Sequence, residues 1–401
     1  MAKKNILLGV VGWNIAETTR MIEVASIFKD DYECHFFSYG GQFEHLVEEA
    51  GYKLHQLTPQ EDEKKIEHLW KVDRGETFKQ PWTLDELRAR IQSELKLIDQ
   101  LNPAFAFLGS VLTFSLSCKV KQVRLFNVFP INLSKPYLEA GLPLSPFLPN
   151  WINRLTGWIL LNVPLLMKNF RKVYQEYGFK PPKNALEIWS GDVNIAADIK
   201  EVSLLKELPS DWHFSGPLFA HLNKEIPQSI EEALKKSPKT KIYFAMGSSA
   251  NKKILKQALA CFEALDVLVV APIQAHLSQE DKIPSNVMVT DWLPALQTLE
   301  LVDVAITHGG QGTVQTTVMA GKPFMGIGMQ PEQAINIHTF VTFGNALQLP
   351  KNKVTQKRFE KALNDLIKNE SYHQKAKEAQ AIMQSVNTYE IIKDIVESNL
   401  N

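Results

Sequence analysis

At 401 residues the chain is too long for one ordinary core and predicts two domains of roughly 150–200 residues each. Its 45% hydrophobic and 22% charged content excludes a disordered or membrane-spanning chain, and 44 Lys plus Arg against 44 Asp plus Glu leaves no global field for nucleic acid or anionic lipid. Cys34, Cys118 and Cys261 are scattered and odd in number, which argues against a disulfide framework or a cysteine zinc site and suits a reducing compartment.

In chain order, Asn5–Val11 reads as a buried first strand rather than a secretory core, so a cytoplasmic protein is expected. Strands follow at Glu33–Ser38, Lys53–Gln56, Ala104–Leu108 and Val123–Val128, with helices at Ala16–Phe28, Gln42–Ala50 and Leu84–Leu101 between them. Glu61-Asp62-Glu63 reads as solvated surface. Residues 134–180 break the rhythm and read as an insertion of helices and loops. Within it Trp151–Met167 is unusually apolar, but Asn153, Arg154, Asn162 and Pro164 argue against a membrane span. A buried helix is the plainest reading; a lid over an apolar acceptor or a lipid-touching surface are the alternatives.

The region Phe214–Lys241, with Ser215-Gly216-Pro217 and then Lys-rich polar sequence, suits a linker. The rhythm restarts with strands at Lys241–Ala245, Val267–Ala271, Val287–Val289, Val304–Thr307 and Phe324–Ile327. Helices are expected at Lys252–Leu265, Thr313–Ala320 and Glu332–Phe343, and across 355–399. Short strands alternating with longer helices are the mark of parallel βαβ units. Two open α/β domains with a cleft between them follow, and ligands in such folds sit at the carboxyl ends of strands.

Thr307-His308-Gly309-Gly310-Gln311-Gly312-Thr313 lies between a hydrophobic strand and a helical run. Its glycines let the backbone approach a ligand closely. The free N–H groups at the helix start, with the dipole behind them, suit a diphosphate. His308 and Thr313 offer further hydrogen bonds to phosphate oxygens. There is no Gly-Lys-Ser/Thr ending and no G-x-G-x-x-G, so neither a Walker loop nor a dinucleotide fingerprint is present. A ligand-free glycine turn is the plainer alternative.

Around that turn the sequence resembles the UDP-glycosyltransferase/macrolide-glycosyltransferase superfamily. The resemblance is carried in order by Phe214-Ser215-Gly216-Pro217-Leu218, Phe244-Ala245-Met246-Gly247-Ser248-Ser249, Asp291-Trp292-Leu293-Pro294, His308–Pro323 and Gln330-Pro331-Glu332-Gln333-Ala334-Ile335-Asn336. It implies the GT-B fold, an α/β class with two Rossmann-like domains and an interdomain cleft. The implied N-terminal acceptor domain spans 1–218, the linker 219–238 and the C-terminal donor domain 239–401, with the last helix a candidate to pack back on the first domain. It also implies a donor site in which Trp292 and Leu293 flank the base. Gly247, Ser248, Ser249, His308, Gly310, Gln311, Gly312 and Thr313 would surround the diphosphate, and Glu332 and Gln333 would bond the sugar hydroxyls. Where the pattern carries a ribose-gripping glutamate this chain has Thr316, so either Gln315 or Gln311 holds the ribose or the nucleotide is not uridine.

Inverting transfer needs a base for the acceptor hydroxyl. The family's histidine position is taken by Glu17, and no carboxylate stands near Leu108-Gly109-Ser110 to orient it. Glu17 is therefore the candidate base, or else the end of an Asn14-x-x-Glu17 capping box. Arg20 is expected to pair with Glu17 or Glu23; holding an acidic acceptor is the alternative. Trp13, Asn14, Phe129 and Tyr137 are the candidate acceptor contacts, and the apolar runs around them suit a small, apolar or lipid-like acceptor. No metal ligands and no cofactor are expected, only a UDP- or dTDP-sugar as co-substrate; partners do not include nucleic acid, and membrane contact is peripheral at most. The leading expectation is a metal-independent, inverting hexosyltransferase. The alternatives are a catalytically impaired nucleotide-sugar-binding helper of an active transferase and, further off, a nucleotide-sugar epimerase.

Overall fold

The computed structural model describes residues 3–132, 134–219, 225–247 and 251–400. Strands β1 (Lys4–Gly9), β2 (Tyr32–Ser38), β3 (Lys53–Gln56), β4 (Ala106–Phe107), β5 (Leu125–Phe129), β6 (Val193–Ala196) and β7 (Trp212–Phe214) form one parallel sheet in the order β3-β2-β1-β4-β5-β6-β7. Strands β8 (Thr240–Ala245), β9 (Val267–Pro272), β10 (Val287–Thr290), β11 (Val304–Thr307), β12 (Phe324–Gly326) and β13 (Ala346–Gln348) form a second, ordered β10-β9-β8-β11-β12-β13. Both central strands are apolar without alternation because helices cover both faces. Ile6 and Leu8 of β1 enter one core and Leu7 the opposite one; Ile242 and Phe244 of β8 likewise oppose Tyr243 and Ala245.

In each sheet the strand order reverses at one place, beside β1 and β4 in the first and beside β8 and β11 in the second. Loops leaving adjacent strands on opposite sides open a crevice there. The two crevices face one another.

Several stretches differ from expectation. β6, β7 and β13 are not among the expected strands, and the helix Glu63–Asp73 is hidden in charged residues. Asp62 caps that helix, its carboxylate accepting from the Lys65 N–H at 2.8 Å. Glu61 is not solvated surface: its side chain is buried, pairs with Arg90 at 2.7 Å and accepts from the indoles of Trp13 and Trp82. Within the expected linker, Gln228–Lys236 is a helix whose Ile230 and Leu234 enter the second sheet's core while its lysines face solvent.

The last helix, Thr388–Ser398, leaves the second half and packs on the first. Ile392 and Val396 join the core of Ile6, Leu8 and Val24, a burial worth about 1.5–3 kcal/mol for each side chain. The Tyr389 hydroxyl donates to Glu23 at 2.6 Å, and Lys393 pairs with Asp31 at 2.6 Å.

Candidate active site

The first crevice is closed by a glycine. Gly109 has φ +53°, and a Cβ there would stand 1.6 Å from the Gly9 carbonyl oxygen, so β4 can end this close to β1 only without a side chain. The next residue, Ser110, is itself left-handed at φ +63°, and its hydroxyl donates to Glu17 Oε2 at 2.8 Å. Ser110 thus stands where the resemblance led one to seek an orienting aspartate.

Glu17 lies in the first turn of the helix Ile15–Phe28. Asn14 caps that helix, accepting from the N–H groups of Ala16 at 3.0 Å and Glu17 at 3.5 Å, so its side-chain oxygen is committed to the helix start. Glu17 does not complete the capping box. Its carboxylate turns into the crevice, accepting from Ser110 on one oxygen and from Arg20 at 2.9 Å on the other. Asp73, at the exposed end of its helix, borders the same space and feels the Glu17 charge. Desolvation and the charge of Glu17 raise its pKa from 3.8 to about 6.

Among the proposed acceptor contacts, Trp13 is half-buried, donates to Glu61 at 3.1 Å and meets Trp70 edge-on at 4.9 Å. Phe129 ends β5 against Trp189. Tyr137 is fully buried, its hydroxyl donating to the Pro143 carbonyl at 2.9 Å; it is a core residue and cannot touch an acceptor.

The second crevice lies where β8 and β11 end. Gly247 follows β8 at φ +63°, and His308 follows β11. A Cβ on Gly247 would lie 2.4 Å from the His308 ring and one on Gly310 2.5 Å from it, so the two glycines make the slot that holds the imidazole. His308 is buried, and desolvation lowers its pKa to about 4, leaving the ring neutral at physiological pH. Its Nδ1 has no partner among the described residues. The helix Gln311–Met319 begins beside it, and its first backbone bond runs from Val314 N–H to Gly310 O at 3.0 Å. The first-turn N–H groups therefore have no acceptor within the helix, and the missing Cβ of Gly312 faces open space.

Other expected donor residues are placed differently. Gln311 and Gln315 share one helix face that is turned to the first half: Gln311 accepts from Arg20 at 3.1 Å and donates to Ala197 O and Asp198, while Gln315 donates to Ala197 O at 2.7 Å. Neither amide is available to a ribose. The Thr316 hydroxyl donates back to Gly312 O at 2.8 Å. Leu293 is a core residue, whereas Trp292 after β10 is half-buried. Gln333 closes a capping box with Gln330 and accepts from the N–H groups of Met329 and Gln330, so helix capping occupies its amide. Ser248 and Ser249 lie outside the described residues.

Glu332 opens the helix Pro331–Phe343 and points into the same space. Desolvation, opposed by Arg20 and aided by Asp73 and Glu17, raises its pKa from 4.5 to about 7. Asn336 links it to the turn, donating to Glu332 at 3.3 Å and to Gly309 O at 2.9 Å while accepting from Asn132 of the first half at 2.5 Å. Behind these contacts the seam between the halves leaves about 20 Å³ free, room for about one water. Glu17, Arg20, Asp73, Gln311 and Glu332 thus form one electrostatic cluster drawn from both halves. Asp73, Asp198 and Asn132 escaped the sequence reading as site residues, because only the packed halves bring them together.

Two facing Rossmann-like crevices with an anion cradle on one and a carboxylate on the other define a GT-B protein. Residues 256–398 match the family described as "Erythromycin biosynthesis protein CIII-like, C-terminal domain". A "PGL/p-HBAD biosynthesis rhamnosyltransferase" of Mycobacterium bovis (strain BCG / Pasteur 1173P2) is 23% identical over 388 residues, covering 93% of this chain and 83% of that protein. The spinosyn forosaminyltransferase SpnP shares the fold with a TM-score of 0.75 at 16% identity over 100% of both chains. The glycosyltransferase VinC, solved in complex with DTDP, does so with a TM-score of 0.73 at 13% identity over 98% of each. These similarities support a relation to the UDP-glycosyltransferase/macrolide-glycosyltransferase superfamily.

Proposed function

We propose that this glycosyltransferase moves a sugar from a nucleoside diphosphate to a hydroxyl of a small apolar or lipid-like acceptor, with inversion at the anomeric carbon. The observation that carries the reading is the neutral His308 ring, slotted between Gly247 and Gly310 beside first-turn amides that have no acceptor within their helix. Two linked phosphates on those amides meet the positive end of the dipole, and a neutral imidazole adds one N–H donor. Glu332 reaches the sugar hydroxyls. The acceptor oxygen bonds to the anomeric carbon as the bond from that carbon to the diphosphate oxygen breaks. The acceptor proton goes to Glu17, which Ser110 and Arg20 orient. Charge arriving on the leaving diphosphate is met by the helix terminus and its donors.

The donor is a dTDP-sugar rather than a UDP-sugar in this reading. Thr316 bonds its own helix, and Gln311 and Gln315 bond the opposite half, so none of the three is disposed to grip a 2′-hydroxyl. Titration calorimetry with dTDP and UDP tests the proposal. It predicts tighter binding of dTDP, weakened at least about tenfold in His308→Ala, in line with loss of a charge-assisted bond. Binding of neither nucleotide, or equal binding by wild type and variant, refutes it. Binding of a dTDP-sugar without transfer to any of a broad acceptor panel favours the helper role instead.

A further inference from the structure

We propose that the helix Asn150–Asn162 and the turn before it dock this protein on an anionic lipid surface. The helix hides Asn153 and Gly157 but turns Trp151, Leu155 and Trp158 outward, at 67%, 50% and 57% exposure. Their spacing of four and three residues makes a single stripe. This corrects the reading of Trp151–Met167 as a buried helix. The Asn153 amide also pins the preceding turn: it accepts from the Ser145 N–H at 3.0 Å and donates to the carbonyls of Ser145 at 2.9 Å and Leu148 at 3.1 Å. That turn presents Phe147 and Leu148 at the start of the helix, both exposed. Among the described residues, five of the eight exposed large hydrophobic side chains thus fall within residues 147–158. Such clustering marks a contact surface rather than ordinary surface apolarity.

The charge of the segment that carries the stripe argues for the occupant. The chain is neutral overall, yet residues 140–186 carry six Lys and Arg against one acid, Glu176. Arg154, Lys168, Lys172, Lys180 and Lys183 are exposed, and Glu176 is already paired with Arg88 at 2.6 Å. A second copy would bring two surfaces of the same sign together. A bilayer with anionic headgroups answers both features, because Trp settles at the interface and each nearby Lys or Arg adds attraction. No helix of the described residues is long and apolar enough to cross a membrane, so this one lies in the interfacial plane. Its inner side, through Leu160 and Leu161, packs on the cluster of Phe129, Ile131 and Ile335 that borders the seam between the halves. Docking would therefore set the cleft at a fixed height over the lipid.

The test is co-sedimentation of the full chain with phosphatidylcholine vesicles, with and without phosphatidylglycerol. Binding is expected to be at least about tenfold tighter with the anionic lipid and to weaken with salt. The double variant Trp151→Ser/Trp158→Ser should lose at least about tenfold on anionic vesicles. Lys168→Glu/Lys172→Glu should remove the anionic preference, and Ile283→Ser, an exposed apolar residue of the other half, should change nothing. Brominated lipid should quench the wild-type tryptophan fluorescence, a readout that needs no variant. Absence of vesicle binding, binding untouched by the tryptophan changes, or a dimer that those changes dissolve overturns the proposal. None of these readouts uses sugar transfer, so the surface and the transfer reaction stand or fall separately.

Discussion

Replacing Glu332 by Gln should make the protein more stable at alkaline pH. The carboxyl is desolvated in the cleft near Glu17 and Asp73, and its pKa stands at about 7 against an ordinary 4.5. The folded protein therefore keeps a proton that the unfolded chain releases between pH 4.5 and about 7. Stability from this group is complete below that window, falls as pH rises through it and is level above it. A difference of this size corresponds to about 2–3 kcal/mol between pH 5 and pH 8. The amide of the Glu332→Gln variant cannot ionise and has no such loss, so urea unfolding should show the variant gaining about 2–3 kcal/mol over wild type between those two pH values. The same variant should bind the donor more weakly, because a carboxylate is the better acceptor for sugar hydroxyls. Parallel pH dependence of wild type and variant would refute the raised pKa and the crowding of acidic groups that explains it.

Glu17→Gln should lower turnover by roughly 10²–10⁴-fold with nucleotide affinity little changed, measured by steady-state kinetics beside calorimetry; wild-type-like turnover removes Glu17 as the base. Gly247→Ala should weaken dTDP binding at least about tenfold, since its Cβ would meet the His308 ring at 2.4 Å and the backbone there is left-handed; unchanged affinity would show that the slot does not hold the ring. Arg20→Ala should cost about 3–5 kcal/mol in urea unfolding, because it strands the Glu17 carboxylate and, across the seam, the Gln311 amide oxygen, whereas a cost under about 1 kcal/mol would mark the pair as ordinary surface chemistry. The His308 ring should titrate near pH 4 by NMR in the free protein, and a midpoint near 6.5 would show that solvent reaches it.

The strands of the C-terminal half other than β13 were legible as short, mainly apolar runs between helical patterns. The turn at His308–Thr313 was legible because glycines at a strand-to-helix junction leave few other structures open. The helix that follows was harder to read. Gln311 and Gln315, four apart, share a face by periodicity, but only the other half of the molecule determines that this face is a seam and not a ligand site. The same holds for Glu17 and Ser110, 93 residues apart, which meet because β1 and β4 are neighbours. Tyr137 shows the opposite limit: an aromatic in a proline-rich insertion reads equally well as core or as acceptor wall, and its burial decides for the core.

The chain passes between the halves twice, once after Ser215 and once before Thr388, and the two passages touch. A Cβ on Gly216 would stand 2.4 Å from Val386 and 2.8 Å from the Thr388 hydroxyl oxygen. Two adjoining tethers behave like the leaves of one hinge: they permit bending about a line through both and resist twisting around either. Any opening of the cleft is thereby steered along a single rotation, and the two crevices return to register when it closes. A protein cut before Thr388 would hang its halves on one strand of chain and lose that guidance.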